Sequence, residues 1–299
     1  MQLTVNALHG DFRRLAAARK IMGASKDVQD LAADRTSAER WIARFASGSS
    51  VENPVSAGSH AKTFHPQALA DASEGPMRVF YIHGGGMVYY STATFSPLLQ
   101  FISNELGTTV EAFDYLKMPE HEIADSIKQL LADIVATIEN GDSRPILLAG
   151  DSVGGLLALY IATRLLPQRF SHLLLLYPVL DLHQERQSYH DYGAGYFLDT
   201  WAMRRFKSFL QPYFMQHSFD PFNLHGTDMQ AILPCTLVSA GCDVLLDEGL
   251  AWLALMRANS VSVKHVQFND LPHDFCLYFG KLQVARQAVQ EILSVLKPT

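Results

Sequence analysis

The chain has 299 residues, 48% of them apolar, enough to bury one large α/β core or two small ones, and its net charge of −6 offers no basic footprint for nucleic acid or an anionic membrane. Cys235, Cys242 and Cys276 cannot all pair internally and show no Cys-x-x-Cys spacing. The N-terminus has neither a basic start nor an apolar signal core, and no apolar run approaches the ~20 residues of a membrane span, so a soluble, cytoplasmic protein is expected.

The predicted elements begin with two helices over 11–47, separated near Gly23-Ala24-Ser25. Leu15, Ile21, Val28, Leu31, Trp41, Ile42 and Phe45 form an apolar stripe at helical spacing. Ser25 and the capping-box pattern Thr36-Ser-Ala-Glu39 read as helix starts. The segment 1–50 precedes any strand and is expected to serve as a lid or a dimerisation element. A polar stretch follows, with one short strand at 60–64.

The catalytic domain is expected over 51–299. A buried strand over 77–83 ends at His83-Gly84-Gly85-Gly86, followed by a helix over 95–105, a strand over 108–113 and a helix over about 122–139. The apolar run 146–149 stops at Gly150-Asp-Ser-Val-Gly-Gly155, and a helix over 156–166 begins at once. Strands at 173–177, 236–240 and 261–268 and a last helix over 280–296 complete the series. Such alternation predicts an α/β fold, a mostly parallel sheet with helices on both faces. Its crevice lies beyond the carboxyl ends of the strands, where His83, Ser152 and Asp243 all fall. The stretch 182–225 is too long for an ordinary connection and rich in aromatics, so it reads as a cap insertion shaping an apolar pocket, with some rings packing among themselves.

Strand, sharp turn and helix around Gly-x-Ser-x-Gly is the context of a nucleophile elbow. Ser152 is the candidate nucleophile, and the N–H of Val153 is aimed at a substrate carbonyl oxygen. A serine hydroxyl needs a general base, and an imidazole can take its proton and return it to the leaving group. Of the histidines downstream, only His273 sits in a loop between the last strand and the last helix, at the strand ends. Asp243, just past its strand, is the candidate acid; Asp247 and Glu248 stand where a helix begins and suit its dipole. Gly84 and Gly85, with Val153, would supply oxyanion donors, and His83 would hold the glycine loop, which Gly86 completes. An ordinary imidazole makes activity fall below about pH 6.

These motifs carry a resemblance. His83-Gly-Gly-Gly86, Asp114-Tyr-Leu-Lys-Met-Pro-Glu-His121, Gly150-Asp-Ser-Val-Gly-Gly155, Asp243-Val-Leu-Leu-Asp-Glu-Gly249 and His273-Asp-Phe275 resemble the hormone-sensitive lipase-like family of α/β-hydrolases. The resemblance implies an eight-stranded sheet, a cap built from the N-terminal helices plus the insertion, and carboxylester hydrolysis. It places nucleophile, acid and base at Ser152, Asp243 and His273, and oxyanion donors at Gly84, Gly85 and Val153. It also implies a homodimer. The chain departs from the family at Val153 (usually Ala), Val244 (usually Pro) and Asp274 (usually Gly), the last setting a second carboxylate near His273.

A zinc protease is excluded, because His121-Glu-Ile-Ala-Asp125 lacks a second histidine, and no other cluster has metal-ligand spacing. No cofactor is called for, and the expected partner is a small-molecule ester. Amidase, lactonase or acyltransferase chemistry would use the same residues, and a ligand-binding module of this fold remains an alternative. The first reading is a serine carboxylesterase for short- to medium-chain esters.

Overall fold

A computed structural model describes residues 6–21, 31–45, 61–67, 75–224 and 232–297. Two helices, α1 (Gly10–Ile21) and α2 (Leu31–Phe45), precede β1 (Ala61–Phe64) and β2 (Arg78–Ile82). Then come α3 (Thr92–Leu106), β3 (Val110–Phe113), α4 (Ile123–Glu139), β4 (Ile146–Asp151), α5 (Val153–Tyr160) and β5 (His172–Leu176). The stretch after β5 holds α6 (Gln187–Asp191) and α7 (Thr200–Gln216). The chain continues with β6 (Cys235–Cys242), α8 (Leu246–Ala258), β7 (Val263–Pro272) and α9 (Gln283–Leu296).

The strands form one sheet in the order β1-β3-β2-β4-β5-β6-β7, with β1 antiparallel to β3 and every other pair parallel. Against the eight strands implied by the resemblance, seven are present among the described residues, with one antiparallel strand ahead of β2. The central strands β2 and β4 are buried at every position, as a sheet covered on both faces requires, and apart from Arg78 and Asp151 at their ends they read as apolar runs. The helices cover those faces through stripes at helical spacing. Ile123, Ile127, Leu130 and Ile134 do so on α4, and Ala285, Ala288, Val289, Ile292 and Leu293 on α9.

Two local expectations change. The Thr36-Ser-Ala-Glu39 pattern is no helix start: it lies inside α2, where Thr36 Oγ1 donates to the Ala32 carbonyl and Glu39 accepts the Thr94 hydroxyl. The proposed start at Ser25 lies outside the described residues. The polar run 269–272 is strand rather than loop, because β7 re-pairs past an irregularity at Ala240/Cys242 to join Cys242 with Pro272. Tertiary pairing overrides the turn-like composition there.

The N-terminal segment and the insertion meet each other over the strand ends. Arg19 donates to the Phe197 carbonyl at 2.6 Å, the rings of Phe12 and Phe197 meet edge to face at 5.6 Å, and the Asn6 N–H donates to the Tyr192 hydroxyl. Arg35 of α2 grips the loops below, donating to the carbonyls of Val88 and Met118 and to both oxygens of Glu120.

Candidate active site

Ser152 stands between β4 and α5 at φ 53°, ψ −121°, a conformation rarely tolerated outside glycine. The turn is tight enough that a Cβ on Gly150 would collide with the Gly154 carbonyl, and one on Gly154 with the carbonyl of Ile82. Only glycines at both positions let β4, α5 and β2 close around the serine. The Ser152 N–H donates to the Leu176 carbonyl, and its own carbonyl accepts from Val179 and Gly155, so the strained residue is held from several sides.

His273 follows β7 directly and Asp243 follows β6, so neighbouring strand ends present them together. His273 Nε2 lies 3.0 Å from Ser152 Oγ, and Nδ1 lies 2.6 Å from Asp243 Oδ2. The other Asp243 oxygen accepts the Leu245 N–H at 3.1 Å. All three side chains are buried. Asp243 therefore orients the ring so that Nε2 faces the hydroxyl. Asp247 does not reach the imidazole; it accepts the Ser188 N–H at 2.8 Å and ties α8 to α6.

Burial alone would lower the His273 imidazole, but the charges of Asp243 and Asp274 outweigh it and raise the group to about 9. This moves the expected loss of base function above the pH 6 of an ordinary imidazole.

On the glycine loop, His83 Nδ1 sits 2.7 Å from the Gly84 carbonyl, and its ring stacks on Tyr115 at 4.3 Å. The Tyr115 hydroxyl also donates to the Gly84 carbonyl. Behind His83, Asp114 accepts the N–H and hydroxyl of Thr92; burial opposes its ionisation, yet His83 and Thr92 hold its carboxyl well below the usual range. His83 and Tyr115 thus both bear on the Gly84 carbonyl.

Gly84 needs a correction as a donor. Its N–H is already given to Asp151 Oδ1 at 2.9 Å. The loop N–H groups that donate to nothing among the described residues are those of Gly85 and Gly86, both at positive φ, and across from them stands that of Val153 at the first turn of α5. Sequence reasoning missed Asp151; its signal was an acid placed at the buried end of an otherwise apolar strand. Glu248 was missed too. It is fully buried and accepts the N–H groups of Leu180 and Asp181 and the hydroxyl of Tyr189, so it is no mere dipole partner at a helix start.

The insertion reaches this loop through Phe206 of α7, whose ring occupies the space a side chain on Gly86 would need. Other insertion rings pack on one another and on α5, as Phe214 and Phe219 do against Tyr160. A hollow of about 700 Å³, lined by Glu185, Tyr189, His190 and Arg204 among others, lies in the insertion and includes none of Ser152, Asp243 or His273. Among the described residues no group of histidine, cysteine and acidic side chains is placed to hold a metal ion.

A family model for the alpha/beta hydrolase fold matches residues 79–277. The chain belongs to the α/β-hydrolase fold family. The hormone-sensitive lipase-like resemblance of its motifs stands within it. A mimivirus protein from Acanthamoeba polyphaga mimivirus, described as an alpha/beta hydrolase, is 31% identical over 67% of this chain, which spans 61% of that relative. An ethyl acetate hydrolase of Pseudomonas putida is 26% identical over 77% of this chain and 74% of its own length. The crystal structure of a thermostable esterase from Pseudomonas putida ECU1011 superposes with a TM-score of 0.82 at 22% identity, covering 98% of this chain and 99% of that one; it shows the shared fold.

Proposed function

We propose that this α/β-hydrolase is a serine carboxylesterase acting on short- to medium-chain esters. The continuous contact from Asp243 through His273 to Ser152, at 2.6 and 3.0 Å, carries the reading. Ser152 Oγ attacks the ester carbonyl while its proton passes to His273 Nε2. The carbonyl oxygen becomes an oxyanion facing the N–H groups of Gly85, Gly86 and Val153, with Gly84 holding the loop rather than donating. The carbon–oxygen bond of the alcohol then breaks, Nε2 returns the proton to the departing alkoxide, and an acyl-enzyme remains. Water, activated by the same imidazole, adds to that carbonyl and releases the carboxylic acid and the free serine.

The N-terminal helices and the insertion at 182–225 form the cap of this reading, and 51–299 the catalytic domain. Phe206 over Gly86 and the ring pair of Phe12 and Phe197 make that cap apolar and close, which favours compact acyl groups. The name of the ethyl acetate hydrolase relative agrees with a small ester. The proposed setting is a cytoplasmic homodimer; among the described residues no helix is long and apolar enough to cross a membrane. A p-nitrophenyl ester series from acetate to palmitate, run on wild type and Ser152→Ala, tests the reading. Hydrolysis by wild type alone, strongest at the short end, is the expected result. Equal hydrolysis by both proteins, or none by wild type while folded, overturns it.

A further inference from the structure

His273 Nε2 has two neighbours, not one. Besides Ser152 Oγ at 3.0 Å, Asp274 Oδ1 lies 3.5 Å away, while Asp243 occupies the opposite ring nitrogen. The imidazole therefore sits between two carboxylates, one on each nitrogen. Asp274 reaches this place through a left-handed backbone, φ 60°, ψ 15°, at the residue immediately after His273. That conformation suits glycine best, the residue usual here in hormone-sensitive lipase-like proteins, and among other residues it favours asparagine and aspartate. A left-handed aspartate whose carboxylate stands 3.5 Å from the candidate base calls for a functional account.

The geometry points to Asp274 as a positioning residue for His273, a second carboxylate that holds the protonated imidazole from the Nε2 side during the interval between the two proton transfers. This inference rests on the esterase reading for its kinetic consequence but not for its titration. When the Ser152 proton arrives on Nε2, the ring becomes a cation with Asp243 on one side and Asp274 on the other. Each carboxylate favours the charged ring, so the base is stronger than with one partner, and it stays protonated to higher pH. The acid limb of activity, where the base is lost, is displaced upward accordingly.

The surroundings leave few charges to alter that balance. Asp151 approaches the imidazole from the end of β4, and Arg19 faces Asp274 from α1. The neighbouring phenols of Tyr90, Tyr177 and Tyr278, and the Cys276 thiol, are all pushed up by burial and remain neutral through the working range. Burial raises the Asp274 carboxyl, while His273 and Arg19 pull it down. Its side chain keeps 25% exposure.

The test is the titration of the His273 ring, followed by imidazole nitrogen NMR on the full chain in wild type, Asp274→Asn and Asp274→Gly. Asparagine and glycine both accept the left-handed backbone, so neither variant asks the turn to rearrange. Removing a carboxylate this close is expected to lower the His273 midpoint by about one pH unit or more in both variants. The acid limb of kcat/KM for p-nitrophenyl acetate should move down by the same amount. If Asp274→Asn leaves the NMR midpoint in place, the inference is wrong, whatever its effect on rate. A wild type lacking Ser152-dependent hydrolysis would defeat the esterase reading instead, and the NMR midpoints would still decide the role of Asp274.

Discussion

Gly84 gives its backbone N–H to Asp151 Oδ1 at 2.9 Å, and so the loop after β2 is fastened to the residue just before the nucleophile. The same oxygen accepts the Tyr81 hydroxyl at 2.7 Å, while Oδ2 is buried without a partner. Burial first, and the Asp274 charge second, push this carboxyl up to about 7. One oxygen of this buried acid thus fixes the spacing between Ser152 and the glycine loop.

Asp151→Ala removes the acceptor and leaves the Gly84 N–H and the Tyr81 hydroxyl buried and unpaired. A loss of about 1–3 kcal/mol in urea unfolding is expected. Because the loop is released, kcat/KM should fall roughly 100-fold, the scale of one lost oxyanion donor. Asp151→Asn keeps an oxygen in place and should stay within about tenfold of wild type.

Gly86→Ala addresses the contact between the insertion and the loop. The new methyl group meets the Phe206 ring at a backbone φ of 63°, so both the ring and the loop must give way. Overpacking of this kind costs about 1–3 kcal/mol. Phe206→Ala carries its own cost as a buried ring is lost, but in that background Gly86→Ala should cost less, with the left-handed backbone strain remaining. A double-mutant cycle by chemical denaturation measures the coupling, and additive effects would mean that Phe206 does not press on the loop.

Glu248 sets a pH dependence of stability. Its carboxyl is pushed to about 7, by burial first, against the pull of Lys207 and the N–H groups of Leu180 and Asp181. The folded chain therefore keeps this proton where the unfolded chain has lost it. Stability from Glu248 is present below about pH 4.5 and is lost as pH rises through about 7. Glu248→Gln, whose amide oxygen can still accept both N–H groups, should gain on wild type by up to roughly 3 kcal/mol between pH 4.5 and 8. Asp151 leaves a slope of the same sign in both proteins. Thermal unfolding across that range checks it, and parallel curves would show that Glu248 is ionised in the fold.

Much of this site is legible from residue order, because a parallel sheet sends every strand's carboxyl end to one side. Ser152, Asp243 and His273 each follow a strand, so finding the strands was nearly enough to bring them together. The acid could be chosen between Asp243 and Asp247 because Asp243 directly follows β6, whereas Asp247 lies in the first turn of α8. What the sequence concealed depends on contacts between distant segments. Whether the Gly84 N–H is free depends on Asp151, 67 residues away. The run from Asn269 to Pro272 resembles a loop, yet pairing with β6 makes it strand. Glu248 resembles any acid in a first helical turn until the N–H groups of Leu180 and Asp181 converge on it. The capping pattern at Thr36 misled because a local motif carries no information about where a longer helix starts.

The most direct test of the central claim is covalent capture of the nucleophile. The protein is treated with a p-nitrophenyl organophosphate, which a serine esterase takes up at its nucleophile without turning it over, and intact mass is recorded. The account predicts one adduct per chain, mapped to Ser152 by peptide sequencing, and none on Ser152→Ala or on denatured protein. An adduct on another residue, or the same adduct on Ser152→Ala, would contradict it.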